Sequence, residues 1–334
     1  MRSMRSAVVA AVLASLVLAG CGGGDEKDGS DAKPESGEKA TPQEPDTWPL
    51  TGLELADGKS ADRKHPVLVA KIDNTSSSAP QVGLSKADLV VEELVEGGLT
   101  RLAVFFYSQL PKQVGPIRSM RASDIGIVSP VDGQMVTSGA AAQTIARLDQ
   151  AGVKFHQEGS AGLARDSSRR APYNVMADLA EVAKAAKVPS ARPDDYLQWG
   201  TAAELPKGQP GTTITASFGS HTTNWAFEGG SYRNQNTYAA DGDEFLADSV
   251  LVLKVKIGDA GYRDPAGNPV PETKLEGTGQ AILFHKGRAI RATFEKDGLD
   301  GTILLSTKKG SIKVPAGKTW IELVPADRGE VTFN

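Results

Sequence analysis

Residues 89–107 have the sequence LVVEELVEGGLTRLAVFFY, in which two apolar runs flank a pair of glycines. Runs of this kind, separated by four residues that include Gly97-Gly98, predict two antiparallel strands joined by a hairpin. Neither a Walker pattern nor GxGxxG surrounds the glycine pair, so it indicates turn geometry and not a phosphate loop. The first half of the chain is therefore built on a β-hairpin.

The sequence on either side of this hairpin predicts a mixed domain. The run HPVLVAKI (residues 65–72) predicts another strand, as does the segment 133–137. Apolar residues at helical spacing predict short helices over residues 123–128, 140–150 and 176–186. Because strands alternate with helices, we expect an α/β domain over residues 48–207.

Helical patterning disappears after residue 207. Short alternating segments, each bounded by Gly, Pro, Asn or Asp, predict strands over residues 212–218, 250–257, 280–285, 289–294, 302–306 and 319–324. Lys286-Gly287 lies between two of them and predicts a compact hairpin. We expect a mostly antiparallel β-rich domain over residues 208–334, so the fold class is α+β: an N-terminal α/β domain followed by a β domain.

The first 20 residues resemble a bacterial lipoprotein signal peptide. Arg2 and Arg5 precede an apolar stretch that is too short to cross a bilayer, and small residues lead to Cys21. In such signals the cysteine becomes the mature N-terminus and carries acyl chains such as palmitate. Two or three chains give stable anchoring where one does not. The alternative is an ordinary secretory signal with an incidental cysteine; the lipoprotein interpretation predicts an extracytoplasmic protein whose partner is membrane lipid.

Composition limits the functions open to the mature chain. Residues 21–47 contain eight acidic side chains, three lysines and no large apolar residue, which predicts a disordered tether. The rest of the mature chain is close to neutral, which argues against a nucleic-acid partner. Cys21 is the only cysteine, so disulfides, thiolate nucleophiles and thiolate metal sites are excluded.

Several separated motifs give the chain a family resemblance. IDN at 72–74, the segment Gly83–Arg101, VGPIRSMR at 114–121 and RRAPYN at 169–174 resemble the YerB-like lipoproteins, a bacterial family of unknown function. The second half is similar to the domain that accompanies them, although Phe294 stands where that family tends to have tryptophan. The likeness spans about residues 49–325. It implies a two-domain lipoprotein of the cell envelope and supplies no reaction.

Arginines next to predicted loops are the main candidates for ligand binding. A guanidinium fork binds two oxygens of a phosphate or carboxylate. The candidate anion-binding residues are Arg101, Arg118, Ser119, Arg121, Arg169 and Arg170, and their acidic or polar partners are Asp73, Asn74, Glu96 and Asn174. In the alternative interpretation these arginines pair with Glu92, Glu93, Glu96, Asp124 and Asp166 and only fix loops.

Other chemistry has less support in the sequence. Strand alternation predicts that Glu92 and Glu96 share one face while Glu93 lies on the other, so the three carboxylates cannot converge on one ion. The four histidines have no metal-ligand spacing, and Ser138-Gly139 lacks the GxSxG context of a nucleophile. We therefore expect no metal and no cofactor. Aromatic residues between 225 and 238 predict either a stacking platform or β-domain core.

Two functions fit these observations. The favoured one is a non-catalytic, membrane-anchored envelope lipoprotein that binds a wall component, an anionic ligand or a partner protein. The alternative is an envelope enzyme, a phosphotransferase or hydrolase that acts on phosphorylated glycan carriers and uses the same arginines and carboxylates. An arginine trio within reach of Asp73 and Glu96 at one cleft would favour chemistry, whereas arginines paired on separate surfaces would argue against it.

Overall fold

The computed structural model describes residues 46–56 and 63–334. The predicted signal peptide, Cys21 and nearly all of the predicted tether lie outside the described residues. The described residues all fall within one compact unit.

The first half of the described chain contains strands interspersed with three α-helices. Its strands are β1 (Leu68–Asp73), β2 (Leu89–Leu94), β3 (Thr100–Phe106), β4 (Gln134–Thr137), β5 (Phe155–Gln157), β6 (Leu163–Arg165) and β7 (Val175–Ala177). Its helices are α1 (Asp124–Val128), α2 (Ala142–Gln150) and α3 (Leu179–Ala185).

The second half, as far as the structure describes it, contains strands and no α-helix. These strands are β8 (Trp199–Gly200), β9 (Gln209–Pro210), β10 (Thr213–Ser217), β11 (Thr222–Glu228), β12 (Ser231–Asn234), β13 (Ser249–Arg263), β14 (Pro269–Lys274), β15 (Gly277–His285), β16 (Arg288–Lys296), β17 (Leu304–Thr307), β18 (Gly310–Ile312), β19 (Val314–Pro315), β20 (Thr319–Pro325) and β21 (Glu330–Phe333).

One large sheet runs through both halves in the order β18-β17-β16-β15-β13-β20-β2-β3-β1-β4-β5. The hairpin predicted over residues 89–107 is confirmed, since β2 and β3 pair antiparallel from Leu89↔Phe105 to Leu94↔Thr100. Strand β20 lies between β13 and β2 and is parallel to both. The boundary predicted at residue 207 thus separates two sequence segments that contribute neighbouring strands to one sheet.

Both faces of this sheet are covered. Val91 and Phe105 belong to one buried apolar cluster, and Val90 and Val104 belong to the cluster on the opposite face. Strands that are buried on both sides have nearly continuous apolar sequences, as the run before Asp73 does. A smaller sheet of order β12-β11-β10-β21 packs on the second cluster.

The predicted α+β class is confirmed, with most strands of the second half antiparallel. The Lys286-Gly287 turn joins β15 and β16 with φ values of 46° and 69°, as the hairpin signal requires. The helix predicted over residues 176–186 was wrong in its first turn: Met176 lies in β7, and the helix begins after Asp178, whose carboxylate accepts the N–H of Glu181.

The aromatic residues of the second half include two large core side chains. Trp225 and Tyr232 are buried, and they pack edge-on against Trp320 and Phe284, respectively. These two side chains therefore belong to the core and cannot form a stacking platform for a ligand.

Candidate anion-binding site

Residues 114–121 run along the carboxyl-terminal end of β1. Gly115 has φ 148°, and a Cβ at this position would lie 2.9 Å from the sulfur of Met176, so the turn requires glycine. The N–H of Arg118 donates to the Lys71 carbonyl at 2.7 Å, and its own carbonyl accepts the N–H of Ser138 at 3.1 Å. The loop is thereby inserted between the ends of β1 and β4.

Three of the predicted arginines meet two of their predicted partners beside this loop. Glu96 Oε2 accepts Arg121 Nε at 2.9 Å, Oε1 accepts Arg121 Nη2, and Oε1 lies 3.3 Å from Arg101 Nη2. Arg118 Nε lies 3.4 Å from Asp73 Oδ2. We call Asp73, Glu96, Arg101, Arg118 and Arg121 the arginine cluster.

Opposite charges hold the arginine cluster together. Burial alone would raise the pKa of Glu96, but the hydrogen bond and charge of Arg121, with the charge of Arg101, lower it. Burial, followed by the positive charge of Arg121, lowers the pKa of Arg101 to about 10. Three guanidinium groups face two carboxylates, so the cluster carries one positive charge in excess.

A cavity of about 580 Å³ adjoins the cluster through Ser119 and Arg121. Ser138 and Gly139, which follow β4, form another wall, and Arg263 near the tip of the β13–β14 hairpin forms a third. Strands β4 and β5 are parallel and are connected by α2. The cavity therefore lies at the carboxyl ends of parallel strands, the place where open α/β sheets bind ligands.

The N-terminus of α2 also borders this cavity. Its N-cap residue, Ala141, has no side-chain capping hydrogen bond, and Ala140 and Ala141 both line the cavity. The first N–H groups of a helix have no intrahelical partner, and the helix dipole adds partial positive charge there. Such an end favours an anion. The hydroxyl groups of Ser119 and Ser138 share one hydrogen bond of 3.4 Å, which leaves the proton of one hydroxyl as a further donor.

The β13–β14 hairpin is fastened over the cavity by contacts with α2. Thr144 Oγ1 and Tyr262 Oη form a hydrogen bond of 2.7 Å. Arg147 binds Glu272 with two hydrogen bonds, of 2.9 and 2.5 Å. These contacts attach the hairpin to α2, and the hairpin places Arg263 at the cavity. The N-terminus of α2 borders the same cavity.

The remaining predicted residues lie elsewhere. Arg169 donates to the Pro80 carbonyl at 2.8 Å and lies 3.8 Å from Asp166, and Arg170 is exposed. The Asn174 amide oxygen accepts Arg165 at 2.8 Å. Arg169 and Asn174 therefore fix the loop before β7, and Arg169, Arg170 and Asn174 do not line the cavity.

Glu92 belongs to a separate buried network on the other face of the sheet. Asn74 donates to it at 3.0 Å, Thr223 at 3.1 and 3.0 Å, and His221 Nε2 lies 3.1 Å away. The prediction that Glu92 and Glu96 share a face was wrong, because β2 ends at Leu94 and strand alternation does not extend into the turn that carries Glu96.

The parallel register of β2 and β20 places Glu92 beside Glu322, and both are fully buried. Burial and the neighbouring Glu92 raise the pKa of Glu322 well above its ordinary value. Burial would also raise the pKa of Glu92, but the hydrogen bond and charge of His221 lower it. Of the two carboxyl groups, Glu322 is therefore the one that favours the proton, and Trp225 Nε1 donates to it at 2.8 Å.

Two kinds of site residue were missed by the sequence argument. Arg263 and the N-terminus of α2 join the cavity through long-range packing that no local motif marks. Glu322 had a usable signal: it is a charged residue inside an apolar strand that is buried on both faces. Such a residue requires a buried partner.

The described residues hold neither a metal-ligand group nor a membrane-spanning helix. Across residues 46–56 and 63–334, no three His, Cys, Asp or Glu side chains are grouped so as to hold a metal ion. None of the helices in these two ranges has the length and apolar character of a membrane span.

The fold and the site define an α+β protein whose two sequence halves share one sheet around a buried arginine–carboxylate cluster. The chain belongs to the family described as "Protein of unknown function (DUF3048)": its N-terminal domain matches residues 50–192 and its C-terminal domain matches residues 213–321. The resemblance inferred from the motifs is thereby confirmed.

Comparison with individual proteins agrees with this membership. The chain is 26% identical over 290 residues to a protein named "Putative lipoprotein YerB" of Bacillus subtilis (strain 168), covering 83% of this chain and 86% of the relative. The crystal structure of the YerB protein from Bacillus subtilis matches with a TM-score of 0.70 at 22% identity, over 86% of this chain and 99% of that one. The structural likeness shows the fold.

Proposed function

We propose that this chain is a membrane-anchored, extracytoplasmic lipoprotein of the bacterial envelope that binds an anionic group, the phosphate or carboxylate of a wall component, in the cavity beside the arginine cluster. The lipid anchor is supported by the signal that ends at Cys21 and by the name of the relative. The binding role rests on one observation: the uncapped N-terminus of α2, two serine hydroxyls and Arg263 converge at the carboxyl ends of β4 and β5.

The arginine cluster supports binding mainly through its positive electrostatic potential, and less through direct contact with a ligand. Arg121 uses Nε and Nη2 to bind Glu96, and its Nη1 donates to the Met120 carbonyl at 2.8 Å. Its guanidinium donors are therefore occupied inside the protein. Arg263 donates to the Gly267 carbonyl at 2.7 Å through Nη1, so its Nε and Nη2 groups, one of the two serine hydroxyls and the helix end are the donors that remain for a ligand. The excess positive charge of the cluster favours a negative ligand.

The test uses isothermal titration of the mature protein with inorganic pyrophosphate, and with succinate as the carboxylate probe. Arg263→Gln should weaken pyrophosphate binding at least tenfold, about 1.4 kcal/mol. The matched control is Arg233→Gln, since Arg233 is another exposed arginine on a strand and does not line the cavity. Saturable binding of succinate alone would assign the site to carboxylates.

A second variant separates binding from folding. Ala141→Asp places a carboxylate at the N-cap of α2, which should raise the free energy of unfolding by about 1 kcal/mol. The same carboxylate occupies the helix N-terminus and repels the ligand, so pyrophosphate binding should be lost. Failure of the wild-type protein to bind either probe, or equal weakening by Arg233→Gln and Arg263→Gln, would overturn the proposal.

A further inference from the structure

A second charged group, distinct from the arginine cluster, is completely enclosed by the protein. The side chains of Lys71 on β1, Glu93 on β2 and Asp124 at the start of α1 are all 0% exposed. Lys71 Nζ contacts Glu93 Oε1 and lies 2.7 Å from Asp124 Oδ1. Desolvating three charged groups is costly, and their mutual attraction does not reliably offset that cost.

The two carboxyl groups differ in how they are held. Asp124 Oδ2 accepts the N–H of Arg121 at 2.6 Å, which leaves Oδ1 directed at the lysine. Glu93 Oε2 is buried and has no hydrogen-bond partner in the structure. The amine of Lys71 therefore lies between an acyl group fixed by a backbone donor and a second carboxyl group that has one oxygen free to exchange protons.

We propose that Lys71 and Asp124 become joined by an intramolecular amide bond, with Glu93 as the group that moves the protons. Lys71 Nζ attacks Asp124 Cγ, so a C–N bond forms and the bond from Cγ to Oδ1 breaks. Two protons leave the lysine ammonium by way of Glu93 and depart with Oδ1 as one water molecule. Oδ2 remains as the amide oxygen and keeps its hydrogen bond to the Arg121 N–H.

The surroundings favour this reaction in two ways. A nucleophile held in contact with its carboxyl target has a high effective molarity. Burial penalises the separated charges of ammonium and carboxylate, whereas the amide is neutral. Burial also raises the pKa of Glu93, so that this carboxyl can carry a proton between donor and leaving oxygen. The step needs no oxidant, cofactor or second substrate.

The bond would close a loop across 53 residues of sequence. That loop contains the arginine-bearing segment 114–121, so the bond would attach the chain just after this segment to β1. The sequence contains one cysteine, Cys21, so no disulfide is available for this purpose. This inference does not depend on the proposed anion binding.

The test is mass spectrometry of the full-length mature protein after purification. The intact mass should be lower, by one water molecule, than the mass of the lipidated sequence. Trypsin should yield a branched peptide that joins His65–Lys86 to Ala122–Arg147, uncleaved after Lys71. Lys296 serves as an internal control, because it is also buried but donates to the Gly298 and Leu299 carbonyls and should be cleaved normally.

Glu93→Gln keeps the size of the side chain and removes the proton carrier. This variant should have the full, unlinked mass and release the linear peptide His65–Lys71, whereas Glu158→Gln, at a more exposed site, should remain linked. The wild-type measurement is decisive even where the Glu93 variant does not fold. An intact mass with no loss of water, together with quantitative recovery of linear His65–Lys71 from folded wild-type protein, would refute the bond.

Discussion

Replacing Glu96 with glutamine should destabilise the protein strongly, because one carboxylate holds two buried arginines. The side chains of Arg101 and Arg121 are 7% and 9% exposed, and Glu96 is 12% exposed. Breaking a buried ion pair from one side costs about 3–5 kcal/mol, since the partner charge is left uncompensated. Arg101 keeps Asp73 nearby, so we expect Glu96→Gln to lower the free energy of unfolding by about 3 kcal/mol, the low end of that range.

The assay is urea unfolding at pH 7, followed by circular dichroism, with the slope m compared between variants. Glu158→Gln is the control, because Glu158 pairs with Arg165 at the surface, where the side chains are 32% and 48% exposed. Surface pairs contribute about 0–1 kcal/mol. A loss for Glu96→Gln no larger than that of Glu158→Gln would refute the reasoning. Adding Arg101→Met to Glu96→Gln should restore part of the stability, since it removes one uncompensated cation.

Other predictions concern the buried network on the opposite face and the N-terminus. Burial alone would lower the pKa of His221, but its hydrogen bond to Glu92 and the charge of Glu92 raise the pKa above 6.5. The pair therefore stabilises the folded protein at lower pH, and this contribution is lost as the pH rises through the raised pKa. His221→Gln should remove that decline in unfolding free energy, measured by urea unfolding between pH 5 and 9; an unchanged pH profile would contradict the pairing. Burial and the neighbouring Glu92 favour the protonated form of Glu322. Glu322→Gln should therefore change the free energy of unfolding at pH 7 by no more than about 1 kcal/mol, whereas Glu92→Gln should be clearly destabilising. Equal losses by thermal unfolding would contradict this assignment of the proton. Cys21→Ser should move the protein from the membrane fraction to the soluble fraction on immunoblots, and continued membrane association would argue against lipid anchoring.

Local sequence was sufficient for the central hairpin and for the individual strands of the second half. The hairpins at Gly97-Gly98 and at Lys286-Gly287 can be predicted from local sequence, because strand formation and hairpin geometry depend on adjacent residues. The insertion of β20 between β13 and β2 could not be predicted in the same way. Strand order in a sheet is set by packing between segments far apart in the chain.

The candidate site likewise has a part that local sequence predicts and a part that depends on the tertiary fold. The sequence motifs near strand ends selected all five residues of the arginine cluster. In the structure the three arginines lie beside the two carboxylates. The cavity beside them could not be predicted without the tertiary fold, because its walls come from four separate parts of the chain. The face on which Glu96 lies depended on the residue at which β2 ends, which alternation alone does not define.

The position of β20 has a consequence for biogenesis. A newly made chain becomes available N-terminus first, yet β2 acquires one of its two neighbours only when residues Thr319–Pro325 arrive. Until then an apolar strand edge stays open to foreign pairing. The sheet therefore cannot close before β20 is available, and folding will be slow because this contact joins residues more than 200 positions apart. A chain of this design therefore exposes one edge of β2 to other polypeptides until β20 has been delivered.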